Sequence, residues 1–310
     1  MRTQVRQALN FQALVVASGG SEAKAIEVFD RAVGEFDTTE EFSIHQNDYA
    51  RLLGVSSLIA GNAYLKCRPA FEAIKDDVSV LTWEDAHWPK RANGFAYCPR
   101  FIFVKGDSSL LDREGVSVIG TRNPSLEGRN LCSKTVVALG SKGYVITSGL
   151  ALGIDGVAHR TALSCGFPTM AIIGTPLTVS YPPEHKDLQQ QIAVQGCLVS
   201  RFSPALSVQK WFFLLRNRLM SSLSLASVVI EDRDGGGAVR QAAFALEQNK
   251  LVFIYQSTVD NPSLLWPRQF ARKANVVVVR QSEDIVKYLC GQNKAKKPRT
   301  PAFSGQLTLF

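Results

Sequence analysis

From residue 115 onward the chain alternates short apolar runs with stretches of helical spacing, and this rhythm limits the available folds more than any other feature. The runs read VSVIG, YVITS, TMAIIG, CLVS, SVVIE, LVFIY and NVVVV. Helices are expected from about Glu127, from about Asp155, near EHKDLQQQI, at RNRLMSSLS and AVRQAAFALEQ, and finally at EDIVKYL. Strands that are apolar along their whole length are buried on both faces, and helical connections between them require crossovers. The expected fold class is therefore α/β, a doubly wound, mainly parallel sheet covered by helices on both faces. In such sheets ligands lie beyond the carboxyl ends of the strands.

The turns at those ends are unusually rich in glycine. After YVITS comes SGLALGIDGVAHR, with Ser148, Gly149, Gly153 and Gly156. Each glycine lowers helix stability by roughly 1 kcal/mol relative to alanine, so a plain helix does not favour them. Two readings stand. The first helical N–H groups have no internal partner and face the positive end of the helix dipole, which suits a phosphate. Alternatively, the glycines let helix and strand approach closely. The first strand ends in Gly120, Thr121 and Arg122, the last offering a planar fork for phosphate. AIIGTP repeats the theme at Gly174 and Thr175, and EDRDGGGAVRQAA supplies Gly235 and Gly236 before another helix. Four such turns on one edge point to an extended anion-binding floor of backbone amides with Arg122 at its centre. There is no G-x-x-x-x-G-K-[ST] and no G-x-G-x-x-G, which excludes P-loop hydrolysis and ordinary NAD binding from this reading.

The formal charge of +8 favours an acidic partner, nucleic acid before membrane, since no long amphipathic basic helix is evident. Six scattered cysteines form no C-x-x-C pair, so neither a zinc site nor a disulfide framework is indicated; no cofactor is expected. ALVVA near the start is too short for a signal h-region or a membrane span, and the expected location is a bacterial-type cytoplasm.

Residues 1–72 carry apolar positions at helical spacing and are expected to form a small helical N-terminal domain. Residues 73–114, rich in aromatics and proline, are expected to be a connecting segment packed on the core of the 115–290 domain. Residues 291–310 read as a flexible basic tail with Lys294, Lys296, Lys297 and Arg299, ending in QLTLF.

VSVIGTRNPSLEGRN, GYVITSGLALGIDGVAHRTAL, AIIGTPLTVSYPPEHKDL and RNRLMSSLSLASVVIE, in this order over roughly residues 95–255, resemble the DprA/Smf family of DNA-processing proteins. The resemblance implies an extended Rossmann-like fold. It also implies non-catalytic binding of single-stranded DNA, loading of a RecA-type recombinase, and a homodimer. By position, Arg122 corresponds to that family's DNA-phosphate arginine. Against the family's F-P-[RK]-R-N-R, the chain reads FLLRNR: Phe213, Arg216, Asn217 and Arg218 match, whereas Leu214 and Leu215 do not. The lost basic side chain leaves Lys210, about one helical turn away, to compensate. Phe213 stacks on a base or belongs to the core; Arg218 reaches phosphate or pairs with an acid near the sheet. The serine-bearing loop that the family has after VVIE is replaced here by DRDGGGAVRQ. Many members carry a winged-helix tail, whereas about twenty residues follow Cys290, an arrangement expected of a divergent branch serving genome maintenance or defence.

The last five residues, with Gln306, Leu307, Leu309 and Phe310, look like the pentapeptide by which bacterial proteins bind the sliding clamp. Leu309 and Phe310 suit an apolar pocket and Gln306 its polar rim, though the tail folding back on its own domain is the alternative. A competing reading of the whole chain is a nucleotide-binding sensor or nucleotide-processing enzyme of the LOG-like group. DGGGAVRQ lacks the Thr and Glu of that group's motif, which leaves Asp155 and Glu231 as substitute acids, and residues at such positions usually cap or pair.

Overall fold

The computed structural model describes residues 1–95 and 97–295, with backbone alone for 292–295. The expected α/β architecture is present. Seven parallel strands, β3 (Gly115–Ile119), β4 (Val145–Ser148), β5 (Thr169–Ile173), β6 (Cys197–Ser200), β7 (Ala226–Val229), β8 (Leu251–Tyr255) and β9 (Val276–Val279), lie in one sheet with β1 (Val78–Thr82) and β2 (Phe101–Gly106). The spatial order is β1-β2-β6-β5-β4-β3-β7-β8-β9, and β1 and β2 run antiparallel to their neighbours.

The connecting segment 73–114 is thus more than a covering: it extends the sheet by two strands. In FIFVKG, Phe101 and Phe103 face one side while Ile102 and Val104 face the other, the period-2 alternation of a strand covered on both faces. The four N-terminal helices, α1 (Thr3–Ala17), α2 (Glu22–Glu35), α3 (Gln46–Leu53) and α4 (Ser57–Glu72), pack on the first of these sides, where their apolar faces share one core with Val80, Phe101 and Phe103. Buried Arg100 ties this union, pairing with Asp30 of α2 at 3.2 Å and with Glu84 at 2.8 Å, its guanidinium 4.8 Å from the centre of the Trp83 ring. Arg201 does the same at the end of β6, gripping Glu22 through two bonds of 2.9 and 2.7 Å.

On that same side of the sheet lie α5 (Leu126–Gly140), α6 (Ile154–Ser164), α7 (Lys186–Gln195) and, at the end of the chain, α12 (Ser282–Ala295). The other side is covered by α8 (Phe212–Leu223), α9 (Gly237–Glu247) and, beyond the single turn α10 (Gln256–Val259), by α11 (Trp266–Ala271). Helix α12 continues to Ala295, past the boundary at 290 drawn from composition. The sliding-clamp-like residues Gln306, Leu307, Leu309 and Phe310 lie outside the described residues, as do Lys296, Lys297 and Arg299. No helix among the described residues is long and apolar enough to cross a membrane.

The topology decides where a ligand would sit. From β3 the chain moves through α5 to β4 on one side; after β6 it returns through α8 to β7 on the other side of β3. The strand order reverses at that pair, and the diverging connections leave a crevice beyond the carboxyl ends of β3 and β7.

Candidate nucleic-acid interface

A cleft of about 530 Å³ occupies this crevice. Its lining includes Gly120, Thr121 and Arg122 after β3, Ala151 and Asp155 after β4, Phe213, Arg216 and Asn217 of α8, and Asp232, Arg233, Gly235, Gly236, Arg240 and Gln241 around the start of α9.

The turns after β3 and β4 do lie side by side, held by backbone. Ile154 N–H donates to the Thr121 carbonyl at 3.1 Å, and Thr121 N–H to the Glu231 carbonyl at 2.6 Å. Gly153, at φ +76°, packs so tightly on this turn that a Cβ would lie 2.6 Å from the carbonyl carbon of Arg122; at Gly120 it would lie 2.6 Å from Ile154 Cγ1. At these positions close approach accounts for the glycines.

Of the backbone-amide floor expected from the sequence, the turns after β4 and β7 are not open, because carboxylates of the chain itself occupy them. Asp155 Oδ2 accepts the N–H groups of Gly149 at 3.2 Å and Ala151 at 3.3 Å. Asp232 Oδ2 accepts those of Ala238 at 2.9 Å and Val239 at 3.2 Å, and Oδ1 that of Arg233. The N-terminus of α9, with Gly235 and Gly236 before it, is therefore already capped by an internal anion. Glu231 Oε2 likewise accepts Ser125 N–H and Oγ–H, each at 3.1 Å, at the start of α5. Asp155 and Glu231, the candidate acids of the nucleotide-processing reading, are engaged in holding turns.

What remains available is cationic and aromatic. The guanidinium groups of Arg122, Arg233 and Arg240 are exposed and make no hydrogen bond or ion pair among the described residues. Arg233 and Arg240 escaped the sequence reading; the signal was their place in the loop and first helical turn after a strand end already marked by glycines. Phe213 is half-buried at the cleft, its ring packed on Gly174, where a Cβ would come within 2.6 Å of Cδ1. Tyr181, partly exposed, lies 5.2 Å from it. The core member of WFFLL is instead Phe212, stacked on Phe202 at 4.0 Å.

The remaining candidates divide. Arg216 is buried and donates through Nη1 to the carbonyls of Gly149 and, at 2.8 Å, Ile172, and through Nε to Asn217 Oδ1 at 2.9 Å. Burial pushes its pKa down, opposed by Asp155, while Arg122 adds to the lowering. Burial pushes Asp155 up, and the nearby Arg216 charge and the turn's N–H groups pull it back. Arg218 points away from the cleft, between Phe244 (4.1 Å) and Tyr97 (4.8 Å), paired with Glu247 at 3.1 Å. Ser148 and Thr175 are buried, their hydroxyls donating to the carbonyls of Val118 and Val179. Lys210 is exposed ahead of α8, outside the cleft lining. Among the described residues no cluster of His, Cys, Asp and Glu could hold a metal ion.

Residues 79–290 match the family model described as DNA recombination-mediator protein A. The chain belongs to that family. Among its DprA/Smf relatives, the DNA processing protein DprA of Bacillus subtilis (strain 168) is 32% identical over 196 residues, spanning 63% of this chain and 66% of the relative. Protein Smf of Synechocystis is 37% identical over 184 residues, 58% of this chain and 46% of its own length. The chain thus spans about half to two thirds of these curated relatives. The X-ray structure of DprA from Streptococcus pneumoniae superposes with a TM-score of 0.75 at 24% identity, covering 90% of this chain and 97% of that one. DprA from Helicobacter pylori gives 0.61 at 26% identity, covering 69% and 96%. The Rossmann-like frame is common to this DprA/Smf chain and those structures, and the matched residues contain the whole cleft.

Proposed function

We propose that this DprA/Smf-family chain binds single-stranded DNA at the cleft beyond β3 and β7, without catalysis, and mediates loading of a RecA-type recombinase. The observation that carries this reading is the combination of unpaired Arg122, Arg233 and Arg240 with the half-buried ring of Phe213 in one cleft. Guanidinium groups suit successive phosphates, and an aromatic face suits an unstacked base, a surface that a duplex does not offer. The H. pylori relative, for which a single-stranded DNA binding mode has been described, supports the same assignment. A nucleotide-processing reading is weaker, because Asp155 and Glu231 are committed to backbone amides and to Ser125.

The test is fluorescence polarisation with labelled oligothymidylate and a duplex of equal length, on wild type, Arg122→Ala and Phe213→Ala. Preference for the single strand is expected. Phe213→Ala should lose about 1–3 kcal/mol of affinity. Equal binding of both DNA forms would overturn the reading. We further propose that the protein acts in the cytoplasm as a homodimer and that QLTLF recruits it to the sliding clamp. A pull-down of the clamp with and without residues 306–310 tests that recruitment; capture that survives the truncation would contradict it.

A further inference from the structure

A second cavity, of about 230 Å³, lies between α1, β2 and the segment joining β6 to α8. Six aromatic rings wall it: Phe11, Phe101, Phe103, Phe202, Trp211 and Phe212. Among them sits the amide of Gln12, only 4% exposed, whose Nε2 has no hydrogen-bond partner and which makes no polar contact with any described residue. A buried amide left free in this way costs stability, and buried polar groups are ordinarily satisfied.

Of the other polar side chains at the wall, Arg201 and Glu22 pair with each other, Ser203 Oγ accepts from Ala205 N–H, and Ser207 and Gln209 are exposed. A pocket with aromatic walls and one buried, unpartnered amide matches a flat apolar body bearing one polar substituent.

We propose that this cavity binds a small aromatic molecule with one hydrogen-bonding group, of the size of a phenol or an indole, anchored on the Gln12 amide. The site stands close to the cleft, since Phe212 walls the cavity and the next residue, Phe213, lines the cleft. Its existence does not depend on what the cleft binds.

The test uses the full chain without DNA, with phenol and toluene as probes that differ by a hydroxyl for a methyl. Binding is followed by ligand-observed NMR and by the emission of Trp211, which is partly exposed at the cavity. Phenol should bind about tenfold more tightly than toluene, the value of one hydrogen bond. In Gln12→Leu the preference should fall to about one while toluene still binds. That variant replaces an unpaired amide with an apolar group of similar size, so its melting temperature should hold or rise; Gln12→Met serves as an independent second variant. Failure of folded wild type to bind either probe, or a phenol preference unchanged in both variants, would overturn the proposal.

Discussion

The carbonyl of Gly149 accepts a hydrogen bond from the guanidinium of Arg216, and the two residues stand so close that a side chain at 149 would occupy the guanidinium's place. The N–H of the same residue donates to Asp155. One glycine thus lets a buried cation from α8 and a buried anion from α6 lock the turn after β4. Gly149→Ala must displace the buried side chain of Arg216 or of Asp155. We expect a loss of about 2–4 kcal/mol in urea unfolding, together with weakened binding at the cleft.

Gly153 and Gly143 separate two costs of a left-handed backbone. Both have positive φ, +76° and +83°, but a Cβ on Gly143 meets nothing within 4 Å, whereas on Gly153 it meets the backbone of Thr121 and Arg122. Gly143→Ala should cost about 1–2 kcal/mol, the conformational term alone. Gly153→Ala should cost about 2 kcal/mol more, because backbone cannot swing aside. Paired denaturant melts measure the difference.

The alternation of buried strands and amphipathic helices was legible from residue 115 onward because a parallel sheet leaves so few patterns to its strands. VSVLT and FIFVKG were hidden among tryptophans and prolines, although the continuous apolar run of Phe101–Val104 is itself the mark of a strand covered on both faces. At the site, Arg122 was legible from its place after Gly-Thr. The carboxylates were not: that Asp232 reaches over Gly236 to cap α9 depends on the path of a five-residue loop, which side-chain type alone does not specify. Nor could sequence separate Phe212 from Phe213, neighbours that face opposite environments, or turn Arg218 toward Phe244 and Glu247.

His159 makes stability fall in mild acid. Its ring is fully buried against Thr169 Oγ1 at 2.8 Å; that hydroxyl donates to the Ile146 carbonyl, so His159 Nδ1 carries the proton. Burial, helped by the positive charge nearby, pushes its pKa down from 6.5 to about 3. The unfolded chain takes up a proton below about pH 6.5 while the folded chain does not. Stability is therefore complete above that pH and is lost as pH falls toward 3, by up to about 1.4 kcal/mol per unit. In His159→Leu the decline between pH 6 and 5 should flatten, as read from urea midpoints.

Arg218 distinguishes a structural arginine from a binding one. Sandwiched by Tyr97 and Phe244 and paired with Glu247, it stabilises the α8–α9 packing. Arg218→Ala should lower stability by about 1–2 kcal/mol, through lost cation–π and packing contacts, and leave affinity for oligothymidylate within about twofold.

The most direct measurement of the central claim is the salt dependence of single-stranded DNA binding in wild type and in Arg122→Ala, Arg233→Ala and Arg240→Ala. Each phosphate contact contributes about 0.7 to the slope of log affinity against log salt concentration. If these free guanidinium groups grip the backbone, each substitution lowers the slope by about that amount, and the three reductions add. Slopes identical to wild type in all three variants would contradict the account.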